Sequence, residues 1–167
     1  RTSRNPLILG GGIAVTLNPE PLAPFFDLFL LGEGEDMIVE FLDLYGTLRT
    51  GDTPRAEILS RIQCGIEGAY VPRFYNVRYG PDSLIESFLP ADPVFPAKIR
   101  ARHVADLNAF DTHETVLAKA TEFGEMFLTE VSRGCARRCL FCAAGFACGP
   151  ARFRSPERLT GSIEEGL

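Results

Sequence analysis

Apolar and polar positions fall in short blocks along the chain, and the blocks predict a mixed α/β fold. Leu7-Ile8-Leu9 is a brief apolar run that ends in Gly10-Gly11-Gly12, where the backbone is free to turn or to approach a neighbour closely. Phe25 to Leu31 is a second, nearly continuous apolar run of the kind that forms a strand buried on both faces. It closes at Gly32-Glu33-Gly34-Glu35. From Asp36 to Leu44 the apolar residues Met37, Phe41 and Leu44 recur at helical spacing, with acidic residues in the first turn where the helix dipole favours them. Strand, glycine turn and helix, given twice, is the order of a doubly wound α/β sheet.

Further along, Pro19 to Pro24 predicts a turn or one short helix. Thr53-Pro54-Arg55-Ala56-Glu57 opens a helix with Ile58, Leu59 and Ile62 on one face. Cys64 falls on that face and is expected to be a small buried hydrophobe. The helix ends around Gly68. Phe74–Tyr79 and Leu84–Phe88 flank Gly80-Pro81-Asp82-Ser83, which predicts a β-hairpin. Leu89 to Pro96 reads as extended linker, Lys98 to Val104 as an alternating strand, and Asp106 to Phe110 as a loop or single turn. Glu125 to Val131 predicts another strand, feeding directly into Ser132-Arg133-Gly134-Cys135. After the cysteines, Ser155, Pro156 and Glu157 have the N-cap, N1 and first-turn character of a helix start, so a helix is expected from Pro156 onward. A loop joining a strand to a helix is where (β/α) barrels place their chemistry.

Composition narrows the function classes. Among 167 residues, 46% are hydrophobic and 23% charged, so a core is available and wholesale disorder is not expected. The net charge is -5 and no basic face is evident, which argues against a nucleic-acid partner. No apolar run reaches the roughly 18 residues of a membrane span, and the run after Pro6 is too short for a signal-peptide core. A cytoplasmic protein with reduced thiols is the expectation. The lack of an initiator Met, and an ending inside a helix pattern, suggest a fragment. Arg133, Arg137, Arg138, Arg152 and Arg154 gather near the cysteines, either to face an anionic group or as solvated surface residues.

Five cysteines are present, at 64, 135, 139, 142 and 148. Clustering of four between Cys135 and Cys148 points to metal binding in a reducing compartment. Cys135, Cys139 and Cys142 have the spacing C-x3-C-x2-C. Three thiolates on a short loop can hold three irons of a cubane and leave the fourth open to an outside ligand. A zinc site, with Cys148 as fourth ligand, is the alternative; Cys148 also reads as a plain core or surface thiol. Arg137 and Arg138, between the ligands, either tune such a cluster or stand in solvent. Gly10 to Gly12 read equally as a bare turn or a ligand cradle. Asp111-Thr112-His113-Glu114 reads as surface rather than a metal site.

Val131-Ser132-Arg133-Gly134-Cys135 through Cys142, with Phe141 before the last cysteine, resembles the radical S-adenosylmethionine (SAM) superfamily, whose cluster loop is C-x3-C-x-aromatic-C after the first barrel strand. The resemblance implies a [4Fe–4S] cluster on Cys135, Cys139 and Cys142, with SAM on the open iron. It further implies reductive cleavage to a 5′-deoxyadenosyl radical that abstracts hydrogen from a substrate, Phe141 beside the SAM adenine, and an electron donor such as flavodoxin or ferredoxin. Leu9-Gly10-Gly11-Gly12, Asn18-Pro19-Glu20-Pro21 and Asp27 through Glu35 are similar to the last half of a cobalamin-binding domain fused ahead of such a barrel. That likeness makes Gly11 and Gly12 cofactor-binding candidates and cobalamin a possible second cofactor. The Asp-x-His-x-x-Gly motif of cobalt ligation is missing, and His103 and His113 have the wrong context for it. The implied organisation is a partial cobalamin-binding-like domain over 1–68, a linker with the hairpin over 69–124, and the start of a partial barrel over 125–167. One strand does not close a barrel, so the enzyme is expected to be the parent protein and an isolated piece inactive. A cobalamin-dependent radical methyltransferase and a zinc-stabilised binding module are the rival readings.

Overall fold

Leu28, Phe29 and Leu30 form the buried centre of the first sheet, and their alternation explains why both of its faces are covered. The computed structural model describes residues 5–49, 52–137 and 139–166. Two compact units, residues 1–103 and 104–167, make up the chain, so the hairpin lies in the first and the stretch expected as linker is shared between them.

In the first unit β1 (Leu9–Gly10) runs parallel to β2 (Leu28–Leu30), with α1 (Ile13–Leu17) between them. Helices α2 (Glu35–Arg49) and α3 (Arg55–Gly65) follow, and β3 (Ala69–Tyr70) then pairs antiparallel with the other side of β2. Leu28 and Leu30 face Met37, Phe41, Ile58, Leu59 and Ile62 from the helices. Phe29 and Leu31 face Val15, Tyr70, Tyr75 and Phe95 on the other side. Burying a side chain of this size contributes about 1.5–3 kcal/mol, so these two layers hold the unit together.

Two polar fixtures complete it. Buried Gln63 donates to the Ala69 carbonyl (2.9 Å) and accepts from the Val71 N–H (2.7 Å), tying α3 to β3. Gly32, at φ +112°, packs so closely on the Arg102 backbone that a Cβ would lie 2.1 Å from its carbonyl oxygen. That approach replaces the strand expected over Lys98 to Val104. Only Arg102 bridges to Gly32, through Arg102 N–H to the Leu31 carbonyl (3.0 Å) and Glu33 N–H to the Arg102 carbonyl (2.9 Å). The Arg102 guanidinium grips Glu40 at 2.5 and 2.7 Å and holds its carboxyl below the ordinary value. Hairpin strands β4 (Tyr75–Tyr79) and β5 (Ile85–Pro90) pair as their alternation predicts. Cys64, expected inside, is exposed, because the buried face of α3 is taken by Ile58, Leu59, Ile62 and Gln63.

The second unit is mostly loop. It contains β6 (Ser132–Arg133), α4 (Ala144–Ala147), β7 (Arg152–Phe153) and α5 (Pro156–Gly166). The strand expected over Glu125 to Val131 is reduced to scattered pairing: Glu114 N–H to Leu128, Glu130 N–H to Thr112, and Arg154 N–H to Val131. A strand needs a continuous ladder to satisfy its backbone, and here the partners come from two separate segments. Helix α5 starts where Ser155 and Pro156 predict, with the Ser155 hydroxyl accepting the Arg158 N–H at 3.2 Å. The fold is therefore α/β with small sheets. No helix among the described residues is long and apolar enough to cross a membrane.

Candidate functional site

Antiparallel pairing of β6 with β7 brings the two ends of the cysteine segment together, Ser132 opposite Phe153 and Arg133 opposite Arg152. The segment leaves β6 through Gly134, at φ +85°, a conformation that disfavours any residue with a Cβ. There the backbone presses on the returning limb: a Cβ on Gly134 would lie 2.2 Å from the Pro150 carbonyl oxygen and 2.7 Å from that of Gly149. Cys135 N–H donates to the Gly149 carbonyl at 3.4 Å. The loop thus has a closed neck at 134–135 and 148–150, with the remaining cysteines on the arc between.

All five cysteines are free thiols; Cys135, Cys139, Cys142 and Cys148 are half-buried. The Arg137 N–H donates to the Cys135 sulfur at 3.4 Å, which fixes the start of the arc against the first thiol. Cys142 N–H donates to the Cys139 carbonyl at 3.0 Å, which makes a turn of the second half of the motif. Among the described residues, no three His, Cys, Asp or Glu side chains converge into a group that holds a metal ion. By donor chemistry, three thiols within one short loop fit an iron–sulfur cluster. Leu140 and Phe141, at 98% and 92% exposed, stand in solvent at the tip of the arc, and Arg138 lies outside the described residues.

Arg133, Arg152 and Arg154 are used differently from either expectation. Arg154, its side chain only 2% exposed, ion-pairs with Glu130 at 2.8 Å. It also donates to the carbonyls of Leu107 and Phe110 and to the Thr112 hydroxyl. Arg133 forks onto Glu130 at 2.7 and 2.9 Å. Burial pushes the Glu130 carboxyl up, but the hydrogen bonds from Arg133 and Arg154 outweigh it and hold the group below its ordinary value. Arg152 donates to the carbonyls of Cys148 (2.8 Å), Pro150 (3.2 Å) and Val104. These cations are spent on the protein's own oxygens, whereas Arg137 is exposed. Glu130 was not singled out by sequence; its sole signal was a carboxylate three residues before Arg133.

The other candidates, Gly11 and Gly12, lie in the first unit. With Leu9, Gly10, Leu30, Gly32, Gly34, Glu35, Met37 and Ile38 they line a cavity of about 440 Å³. It opens beyond the carboxyl ends of the parallel strands β1 and β2, the usual place for a ligand in an open α/β sheet. At Gly12 and Gly34 a Cβ would meet nothing within 4 Å, so the space is real rather than filled by neighbours. His103 sits 3.7 Å from Glu33, and His113 3.3 Å from Glu165, each a single pair rather than part of a metal cluster.

Residues 1–72 match the family described as "Radical SAM proteins, N-terminal". The full chain aligns at 26% identity with "Uncharacterized protein MJ0966" of Methanocaldococcus jannaschii, covering 100% of this chain and 30% of that protein. The chain therefore spans about a third of the length of that relative. No solved structure matches.

Proposed function

We propose, from the match of residues 1–72 to the family described as "Radical SAM proteins, N-terminal", that the whole protein is a radical SAM enzyme whose [4Fe–4S] cluster is held by Cys135, Cys139 and Cys142. The carrying observation is the spacing C-x3-C-x-Phe-C on a loop that leaves β6 and returns through β7 to α5. When bound, the cluster would supply the electron that cleaves SAM to methionine and a 5′-deoxyadenosyl radical. The chain's own residues prepare the place. Gly134 admits the sharp turn, the Arg137 N–H holds the Cys135 sulfur in place, and Phe141 offers an uncovered ring for the adenine to stack on.

Strand, cysteine loop and helix over 125–167 are read as the start of a partial (β/α) barrel. Residues 1–68 are read as part of a doubly wound domain, supported by the parallel pair β1–β2 with α1 between them. The Gly11–Gly12 cavity is the second place for a small-molecule cofactor. A reducing, cytoplasmic setting and a flavodoxin- or ferredoxin-type electron donor belong to the same reading.

Anaerobic reconstitution with iron and sulfide, followed by EPR of the reduced protein with and without SAM, is the test. A spectrum that changes on adding SAM is expected. Cys139→Ala should lose cluster iron. Uptake of one zinc in preference to iron, or full iron content in Cys139→Ala, would refute the assignment; the first result would favour the zinc module, with Cys148 as fourth ligand. Retention of a corrinoid by the full-length protein would add the cobalamin-dependent variant of the reaction.

A further inference from the structure

The loop's three candidate ligands lie on an arc, but the arc is fixed only at its neck, and one side chain organises the returning side of that neck. Arg152 reaches back from β7 to the carbonyls of Cys148 and Pro150, the two residues that flank Gly149, and to Val104. Gly149 itself takes φ +68°, so the limb makes a tight turn whose carbonyls do not point along a regular ladder. Those carbonyls need donors when they are drawn from water. The Gly149 carbonyl receives the Cys135 N–H, and Arg152 supplies the Cys148 and Pro150 carbonyls on either side. Arg133 stands directly opposite on β6. Like charges across a strand pair repel, and each arginine is held by its own acceptors, Arg133 by Glu130 and Arg152 by the limb.

We propose that Arg152 is a positioning residue for the cysteine loop. It holds residues 148–150 in the shape that receives Gly134 and the Cys135 N–H, and so fixes where the Cys135 sulfur stands. The proposal rests on the cluster reading above. A planar guanidinium with donors on three nitrogens serves three carbonyls at once, which an ammonium on a flexible stem does not. Groups that orient a metal ligand without touching the metal are worth about 10- to 100-fold in metal affinity.

The experiment uses the full-length protein as Arg152→Met and Arg152→Lys, with Gly134→Ala as an independent lesion on the opposite side of the neck. In the cluster-free chain, hydrogen exchange at the Cys135 amide is measured. In the reconstituted chain, the rate of iron release to a chelator and the EPR response to SAM are measured. Arg152→Met is expected to speed exchange at Cys135 and to release iron about 10- to 100-fold faster, with a blunted SAM-dependent spectral change. Arg152→Lys should fall between it and wild type, and Gly134→Ala should reproduce the same signature. Unchanged exchange at Cys135 in Arg152→Met would overturn the neck contact. Faster exchange with wild-type iron release would overturn the positioning role. Should Arg152→Met fail to fold by circular dichroism, Arg152→Lys decides by the same two readouts. A full-length wild-type protein that takes up no iron would defeat the cluster reading itself, a result read on the unmutated protein.

Discussion

Arg154→Met is the substitution that most directly tests how the second unit is held. The methionine keeps the apolar stem and removes the guanidinium, whose side chain is 2% exposed. Four acceptors lose a donor: the carbonyls of Leu107 and Phe110, the Thr112 hydroxyl and the Glu130 carboxylate. Leu107 is buried, so its carbonyl has poor access to water, while Glu130 keeps both bonds from Arg133. A buried acceptor left alone costs about 1–3 kcal/mol, and breaking a buried ion pair from one side costs about 3–5 kcal/mol. The retained Arg133 contact places the expected loss near the lower end, about 3 kcal/mol. A unit of this size has a total stability of only about 3–10 kcal/mol, so about a third or more of its margin should go. Hydrogen exchange reads this locally at the Glu130 amide, which donates to Thr112, and at the Arg154 amide, which donates to Val131. Protection there should drop about 100-fold, since 1.4 kcal/mol corresponds to a factor of ten. Arg133→Met, which leaves Arg154 on Glu130, should cost about 1 kcal/mol. Equal effects of the two variants, or a change below about 0.5 kcal/mol in Arg154→Met, would refute the assignment of Arg154 as the organising cation.

Two further outcomes follow from the same geometry. Because the folded Glu130 carboxyl sits below its ordinary value of 4.5, its contribution is present above that pH and is lost as the pH falls through the depressed value. Glu130→Gln should therefore lower stability at neutral pH and flatten the acid limb of a stability–pH curve, and a mutant curve parallel to wild type below pH 4.5 would contradict this. Gly32→Ala sets a Cβ 2.1 Å from the Arg102 carbonyl at φ +112°, while Gly12→Ala at φ +92° meets nothing within 4 Å. Thermal unfolding should show Gly12→Ala losing about 1–3 kcal/mol from backbone strain alone, since its φ +92°, ψ 178° lies where essentially only glycine is at ease, and Gly32→Ala losing clearly more; similar losses would mean the Arg102 segment yields freely.

Periodic and punctuated signals were legible because they are local. The apolar Phe25 to Leu31 run delivered the buried β2, though its first residues fold as a turn, and the hairpin and α5 begin and end within a few residues of their turn and cap signals. Two strands were overread, 98–104 and 125–131, because alternation marks what a segment is able to do and not whether a ladder partner is available. The reverse error hid β3: two residues after Gly68 are too short to show any period, yet Gln63 and β2 hold them in the sheet. The five-residue α1, capped by a glycine with no side-chain bond, left no mark either.

The cysteine spacing was visible at once, since ligand spacing is a property of the chain itself. What surrounds it was not. Arginines close in sequence to an expected anionic cluster invite the inference that they face it, but long-range hydrogen bonds decide their use. Arg154 satisfies carbonyls about 44 to 47 residues away, and Arg152 one that is 48 away. A cation whose donors are already committed to backbone oxygens in a desolvated pocket gains little by turning outward, because each abandoned carbonyl costs as much as a new contact returns. The positive charge near the loop therefore shapes the protein before it can serve a ligand. Among the described arginines beside the thiols, exposed Arg137 is the one placed on the arc between Cys135 and Cys139, and its backbone N–H, rather than its side chain, is what reaches a ligand sulfur.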